Sequence, residues 1–206
     1  MALRKATPPD AGTLAPDRPD DAAGWSLLLQ DDSPAVRAEA AAAMATWPEC
    51  AVTLGAHLLD ETDERVRQAL FTSLTRLADD QAAAALLPLL RSEEPRLRNG
   101  AIEALGSMPE AVGPRITTLL HDGDPDVRIF TVNLLGELRH EQVLPWLLHV
   151  LGHDPAVNVV AAAIEVLVEI GAPEHASALR AARQRFAGDP FIGFACDLAI
   201  ERMEAA

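Results

Sequence analysis

The chain has 206 residues, 31 acidic and 17 basic, with a formal net charge of −14 and Lys5 as its single lysine. That balance argues against a nucleic-acid partner, because affinity for the phosphate backbone comes from Lys and Arg displacing counterions. The length suits one domain or one short repeat array, and a composition rich in Ala and Leu, 4% aromatic and without Tyr, argues against sheets, which want β-branched and aromatic side chains.

Residues 1–22, MALRKATPPDAGTLAPDRPDDA, hold four prolines and almost no large apolar side chain. Such a stretch cannot bury enough surface to offset the entropy of ordering, and it predicts a disordered tail. Its charge and proline stand where a signal peptide has its apolar stretch, and no window reaches the roughly 18 apolar residues that span a bilayer. No membrane partner and a cytoplasmic location are expected. Cys50 and Cys196 lie far apart without Cys-x-x-Cys spacing, so buried reduced thiols are expected and a zinc or disulfide framework is not. GWSLLLQ, from Gly24, predicts a short helix that covers the first repeat with Trp25 and the leucines.

One motif then recurs: DSPAVRAEAAAAMATW from Asp32, TDERVRQALFTSLTRL from Thr62, EEPRLRNGAIEALGSM from Glu93, GDPDVRIFTVNLLGEL from Gly123 and a looser HDPAVNVVAAAIEVLV from His153. Its apolar residue falls at Val36, Val66, Leu97, Val127 and Val157, at spacings of 30, 31, 30 and 30. Within a copy the apolar positions, such as Leu97, Ala101, Ala104, Leu105 and Met108, make one stripe on a 3.6-residue helix. A second helix in each unit ends in Leu58-Leu59, Leu89-Leu90, Leu119-Leu120 or Val150-Leu151. Two helices per unit cannot bury their apolar faces alone, and stacking completes the core. The expected fold is all-α: an α-α superhelix of about five two-helix repeats, near 32–61, 62–92, 93–122, 123–152 and 153–187. These occupy a repeat domain of 23–206, closed by a capping helix at 189–204 that carries Phe191 and Phe194, with Phe186 just before it.

Asp or Ser before Pro supplies an N-cap acceptor, and Pro at the first helical position loses no hydrogen bond, so each such pair predicts a sharp helix start. Arg37, Arg67, Arg98 and Arg128 occupy one equivalent position in four units. They predict a structural ladder bonded to loop acids such as Asp32, Asp63, Glu94 and Asp124 of neighbouring units. In the fifth unit Asn158 takes the Arg position when counted from the Asp-Pro loop. Counted back from AAAIEVLVEIG, the register slips by two and Val160 takes it.

The pattern D-x-P-x-V-R-x-x-A-x-x-A-L-G at a spacing near 30, best seen in EEPRLRNGAIEALG and GDPDVRIFTVNLLG, resembles the short HEAT repeats of the phycobiliprotein lyase type over about Ser26 to Leu151. The resemblance implies a HEAT-like solenoid. Such repeats serve bilin lyases, metal-dependent hydroxylases and plain binding scaffolds. Deoxyhypusine hydroxylase, whose repeats are similar, holds two irons on several His-Glu dipeptides. Here only His140-Glu141 has that order and Glu174-His175 is reversed, too few ligands for two metals. A DNA-glycosylase-like HEAT fold would need a positive groove, against the net charge.

Aligning the second helices puts His57, Pro88, Thr118 and His149 in one column and Ala84, Pro114 and Pro145 in another, with Arg91, Arg115, His121 and Trp146 beside them. Second helices line the inner face of such an array, so these residues are the expected protein-binding site. Trp and Arg are frequent anchors of binding surfaces; the alternatives are a Trp146 packed on its neighbour and solvated Arg ion pairs. His149 and His153 stand four apart, which on a continuous helix would place both on one face as a metal pair, yet Gly152 and Asp154-Pro155 predict that the helix ends between them, leaving His153 in a loop and zinc without a third and fourth ligand. The expected function is a non-catalytic scaffold that binds another protein without a metal or other cofactor, the alternative being a lyase-like or hydroxylase-like enzyme or accessory protein.

Overall fold

The computed structural model describes residues 18–205, and all regular elements among them are helical. Helix α1 (Ala22–Leu28) precedes α2 (Pro34–Met44) and α3 (Ala51–Asp60), then α4 (Glu64–Leu77) and α5 (Asp80–Leu86), then α6 (Pro95–Gly106) and α7 (Pro109–Leu120). Next come α8 (Pro125–Glu137) and α9 (Val143–His153), α10 (Val157–Ile170) and α11 (Ala176–Arg185), and finally α12 (Pro190–Ala205). Each of α2, α4, α6, α8, α10 and α12 packs on the next in that series, forming one layer of a solenoid. The intervening helices form the second layer, with α3 on α5, α5 on α7 and α9 on α11. The expected tail falls mostly outside the described residues. At its end, Asp21 already caps α1 by accepting from the Gly24 N–H at 2.7 Å.

The core is continuous along the array. Leu54, Leu70, Leu86, Leu105, Ile116, Leu134 and Leu167 have no exposed surface, and each contributes about 1.5–3 kcal/mol relative to exposure. Trp25 and Leu29 cover the first end as the sequence suggests, while Leu27 is exposed. At the other end α12 seals the stack with Ile192, Cys196, Ala199 and Met203. Phe191 and Phe194 contribute nothing to that seal and face outward, because the buried stripe falls on the opposite side of α12. The glycine that ends the motif is a spacing device: a Cβ on Gly106 would stand 2.6 Å from the Glu137 Cβ, so its absence lets α6 and α8 approach. Pro88 turns the second helix of its unit into α5 plus a 3-10 turn, Leu87–Arg91, since proline removes one N–H and crowds the preceding turn.

Capping follows residue chemistry only in part. Asp63 accepts from the Arg65 and Val66 N–H groups, Asp124 from Asp126 and Asp189 from Phe191 and Ile192. Ser33 and Glu94 make no such bond, leaving Pro at N1 to start α2 and α6 without a capping side chain.

The Arg ladder exists with different acceptors from those expected. Arg37 forks onto Glu61, with Nε donating to Oε2 at 2.8 Å and Nη2 to Oε1 at 2.9 Å. Arg128 forks onto Asp154, Nε to Oδ2 at 2.7 Å and Nη2 to Oδ1 at 3.1 Å. Glu61 and Asp154 stand at one motif position, shared with Asp31, Ser92 and Asp122, five residues before the apolar site. Each of these five side chains also accepts the backbone N–H two residues on, so at Glu61 and Asp154 one residue both fixes the turn and receives the Arg of the preceding unit. The carbonyl of the same position accepts from the unit's own Arg: Asp31 from Arg37, Ser92 from Arg98 and Asp122 from Arg128.

Of the expected acids only Glu94 serves, as a carboxylate partner of Arg67 alongside Glu64; Asp32 offers its carbonyl alone. Ser92 has no carboxylate to give, and Asp122 is taken by Arg91, so Nε of Arg67 and of Arg98 are buried without an acceptor. Arg98 lies instead over the Phe130 ring, 4.2 Å from its centroid. Asp154 fits the shared position only when the fifth unit is shifted by two, and Val159, Val160, Ala163, Ile164 and Leu167 are buried on α10. Val160 therefore holds the Arg position. Arg185, at the end of α11, substitutes for the missing guanidinium by donating to the Asp154 and Leu151 carbonyls at 2.6 and 2.7 Å.

That substitution predicts a contrast within one helix. Arg185→Met strips acceptor carbonyls at the end of α9 of their donors and is expected to cost about 1–2 kcal/mol. Arg180→Met removes an exposed pair with Glu204 and is expected to cost less than about 0.5 kcal/mol. Thermal melts of the two variants against wild type check both values.

Candidate functional site

The six residues expected to bind a partner divide by what they touch. His57 is built into the ladder: its Nε2 lies 3.1 Å from Glu61 Oε2 and its side chain is 13% exposed, which leaves little for a partner. Arg91 pairs with Asp122 and lies 3.9 Å from Asp124. Arg115 pairs with Asp80 at 3.0 Å and donates to the Ala111 carbonyl. Both arginines tie one unit to the next. Trp146 is partly buried and stacks on His140, ring centroids 5.0 Å apart at 24°. His140 accepts the Gln142 N–H on Nδ1 at 3.0 Å, and Gly113 makes room for its ring, since a Cβ there would meet Nε2 at 2.8 Å. The stack of Gly113, His140 and Trp146 wedges α7 against α9, the structural use of Trp146 that the sequence left open.

His149 and His121 are exposed and come together. Helix α9 continues through His153, contrary to the expected break. A proline restrains the residue before it, here Asp154, which is the C-cap. On the continuous helix the His149 and His153 rings stack with centroids 4.4 Å apart at 19°, and His121, just past the end of α7, stands 5.6 Å from His149. These three rings line a cleft of about 230 Å³ together with Arg128 and Asp154. Desolvation first, and repulsion from His153 and then His121, hold the His149 imidazole below its ordinary value.

Along α3, α7 and α9 the second layer is poor in charge, whereas α5 carries Asp80 and α11 carries Arg180, Arg183 and Arg185. Helix α9 contains no Asp, Glu, Lys or Arg, α3 has only Asp60, and α7 has Glu110 and Arg115. Pro88, Pro114, Thr118 and Pro145 are exposed along it, with Val52 and Leu59 on α3.

The HEAT repeats family model matches residues 51–116 and 112–185. The chain belongs to the HEAT-repeat family. Its HEAT units follow one another as the helix pairs described above, and α1, α2 and the terminal α12 lie outside the matched span. Among solved structures, human deoxyhypusine hydroxylase in complex with glycerol is similar at 19% identity, covering 90% of this chain and 85% of that chain with a TM-score of 0.45. An engineered protein is similar at 19% identity, covering 90% and 97%, with a TM-score of 0.41. No curated protein matches the chain.

Sequence reasoning placed His121 and His149 at the binding face and set the His149–His153 pair aside at a helix end; it missed Arg185 and the role of His140. The spacing of His149 and His153 was the signal for that pair. Nothing local pointed to Arg185, which lies 31 residues from Asp154.

Proposed function

We propose that this HEAT-repeat chain is a cytoplasmic, non-catalytic protein-binding scaffold whose partner lies along α3, α5, α7 and α9. The carrying observation is the charge-poor exposed face of those helices in a chain with 31 acidic residues. An interface core is depleted of charge and tolerates apolar and aromatic groups. Fixed prolines and stacked rings hold the face in place, which limits the ordering cost of binding. In an array of this kind the second helices line the concave side, suiting a helix or extended segment of another protein. The repeat length near 30 residues resembles the phycobiliprotein lyase units, and the scaffold alone is carried over from that resemblance. Among the described residues no helix is long and apolar enough to cross a membrane.

Capture from native lysate tests the proposal, comparing wild type with a Trp146→Ala, Arg115→Ala, His149→Ala variant and with a Thr118→Glu, His149→Glu variant at exposed positions, each checked for folding by circular dichroism. The expected result is a protein retained by wild type and lost by both folded variants. Equal recovery by all three, or recovery by none, overturns the reading.

A further inference from the structure

The three histidines of the cleft are arranged in a way that neither the ladder nor the core requires. His121 Nδ1 lies 2.7 Å from the Thr117 carbonyl and His153 Nδ1 lies 2.9 Å from the His149 carbonyl. A carbonyl can only accept, so in the neutral rings Nδ1 carries the proton and Nε2 keeps its lone pair. Donation of the second ring nitrogen to a carbonyl is the usual support for a metal-ligating histidine, because it fixes the tautomer and strengthens the donor. His149 and His153 are one helical turn apart on a continuous helix, the spacing at which two imidazoles can close on one ion.

We propose that His121, His149 and His153 bind a divalent transition-metal ion of the zinc class, with the α9 pair as the first two ligands. Among the described residues no three His, Cys, Asp or Glu side chains stand where they could hold a metal ion without moving. His121, its ring centroid 5.6 Å from that of His149, turns in as the third ligand by giving up its Thr117 carbonyl bond, so the preset tautomer supports His153 alone, and a coordination position is left for water or a partner group.

The surroundings favour a cation. The cleft also holds Asp122, Arg128 and Asp154, but Arg128 is neutralised by Asp154 and Asp122 is held by Arg91, so no free positive charge opposes the ion. The net charge of −14 raises the local concentration of cations. Neutral imidazole is the ligating form. The site does not depend on the scaffold reading, since metal binding is measured without a partner.

Calorimetric titration of chelator-treated full-length protein with ZnCl2 is the test, with Co²⁺ visible absorption as an independent report of ligand type. Saturable binding of about one Zn²⁺ per chain is expected, weakened at least about tenfold by His149→Ala or His153→Ala and less by His121→Ala. Affinity is expected to fall as pH is lowered from neutrality, because protons compete with the metal for imidazole. Unchanged helical circular dichroism in the alanine variants separates ligand loss from unfolding. Absence of saturable binding to wild type, or equal binding by the His149→Ala, His153→Ala double variant, overturns the site.

Discussion

Replacing Arg128 with methionine is expected to destabilise the chain by about 3–5 kcal/mol, the cost of stranding one member of a buried ion pair. Both partners are nearly closed off from water, Arg128 at 9% exposure and Asp154 at 8%. With the guanidinium gone, the Asp154 carboxylate loses the forked bonds at 2.7 and 3.1 Å and keeps only the Ala156 N–H at 2.9 Å. The Asp122 carbonyl loses its donor as well. The pair is mutually reinforcing: the hydrogen bonds to Asp154, opposed by burial, raise the Arg128 guanidinium above its ordinary value.

The double variant Arg128→Met, Asp154→Asn separates stranded charge from lost packing. Asn keeps an acceptor for Ala156 N–H and carries no charge, so at least half of the single-variant loss should return. Because a solenoid unit touches only its neighbours, the loss falls on the contact between α8–α9 and α10–α11, and α10–α12 are expected to unfold first. Urea denaturation followed by circular dichroism measures the totals. A single-variant loss below about 1 kcal/mol, or a double variant as unstable as the single, would remove the pair from any account of the fold.

How much of this was legible depends on distance along the chain. The period near 30 and the helical stripe are local, and they carried the all-α solenoid because stacked units repeat their own neighbours' contacts. The ladder was half legible. Its guanidinium column stands in the motif, but its carboxylates lie 24 to 27 residues downstream, at Glu61, Glu94 and Asp154. The column Asp31, Glu61, Ser92, Asp122 and Asp154, five residues before the apolar site, holds two of the three. Nearer the Pro, Asp63 and Asp124 cap their helices and Asp32 faces solvent. The two-residue slip in the fifth unit hid Asp154 from that column.

The candidate site was less legible still. His57 and Trp146 look alike in sequence as polar or aromatic residues on second helices, yet one is sealed against Glu61 and the other against His140. Only tertiary packing makes that difference. The helix end at His153 was misplaced because Gly152 was given the weight of a terminator, whereas a glycine in the last turn costs only about 1 kcal/mol and the proline acts one residue later.

The second large effect concerns acid. The Arg37 hydrogen bonds, opposed by burial and helped by the Asp63 N–H and by His57, lower the Glu61 carboxyl from 4.5 to about 2. A carboxyl with a depressed folded-state value contributes stability that is fully present above its unfolded value and is lost as pH falls toward the folded one. The window therefore runs from about pH 4.5 down to about pH 2, and at about 1.36 kcal/mol per pH unit the shift corresponds to ~3 kcal/mol. Glu61→Gln is expected to lose about that much at neutral pH. It is also expected to flatten the acid limb, so that the two proteins converge in stability near pH 2. The loss follows from geometry: Gln offers Arg37 one acceptor oxygen where Glu offers two, and it places an uncompensated guanidinium, 16% exposed at the side chain, against the start of α4. Urea midpoints of both proteins across the acid range test this. Parallel pH profiles for wild type and Glu61→Gln would show that Glu61 is ionised no more readily in the folded chain than in the unfolded one, and the first rung of the ladder would then be packing alone.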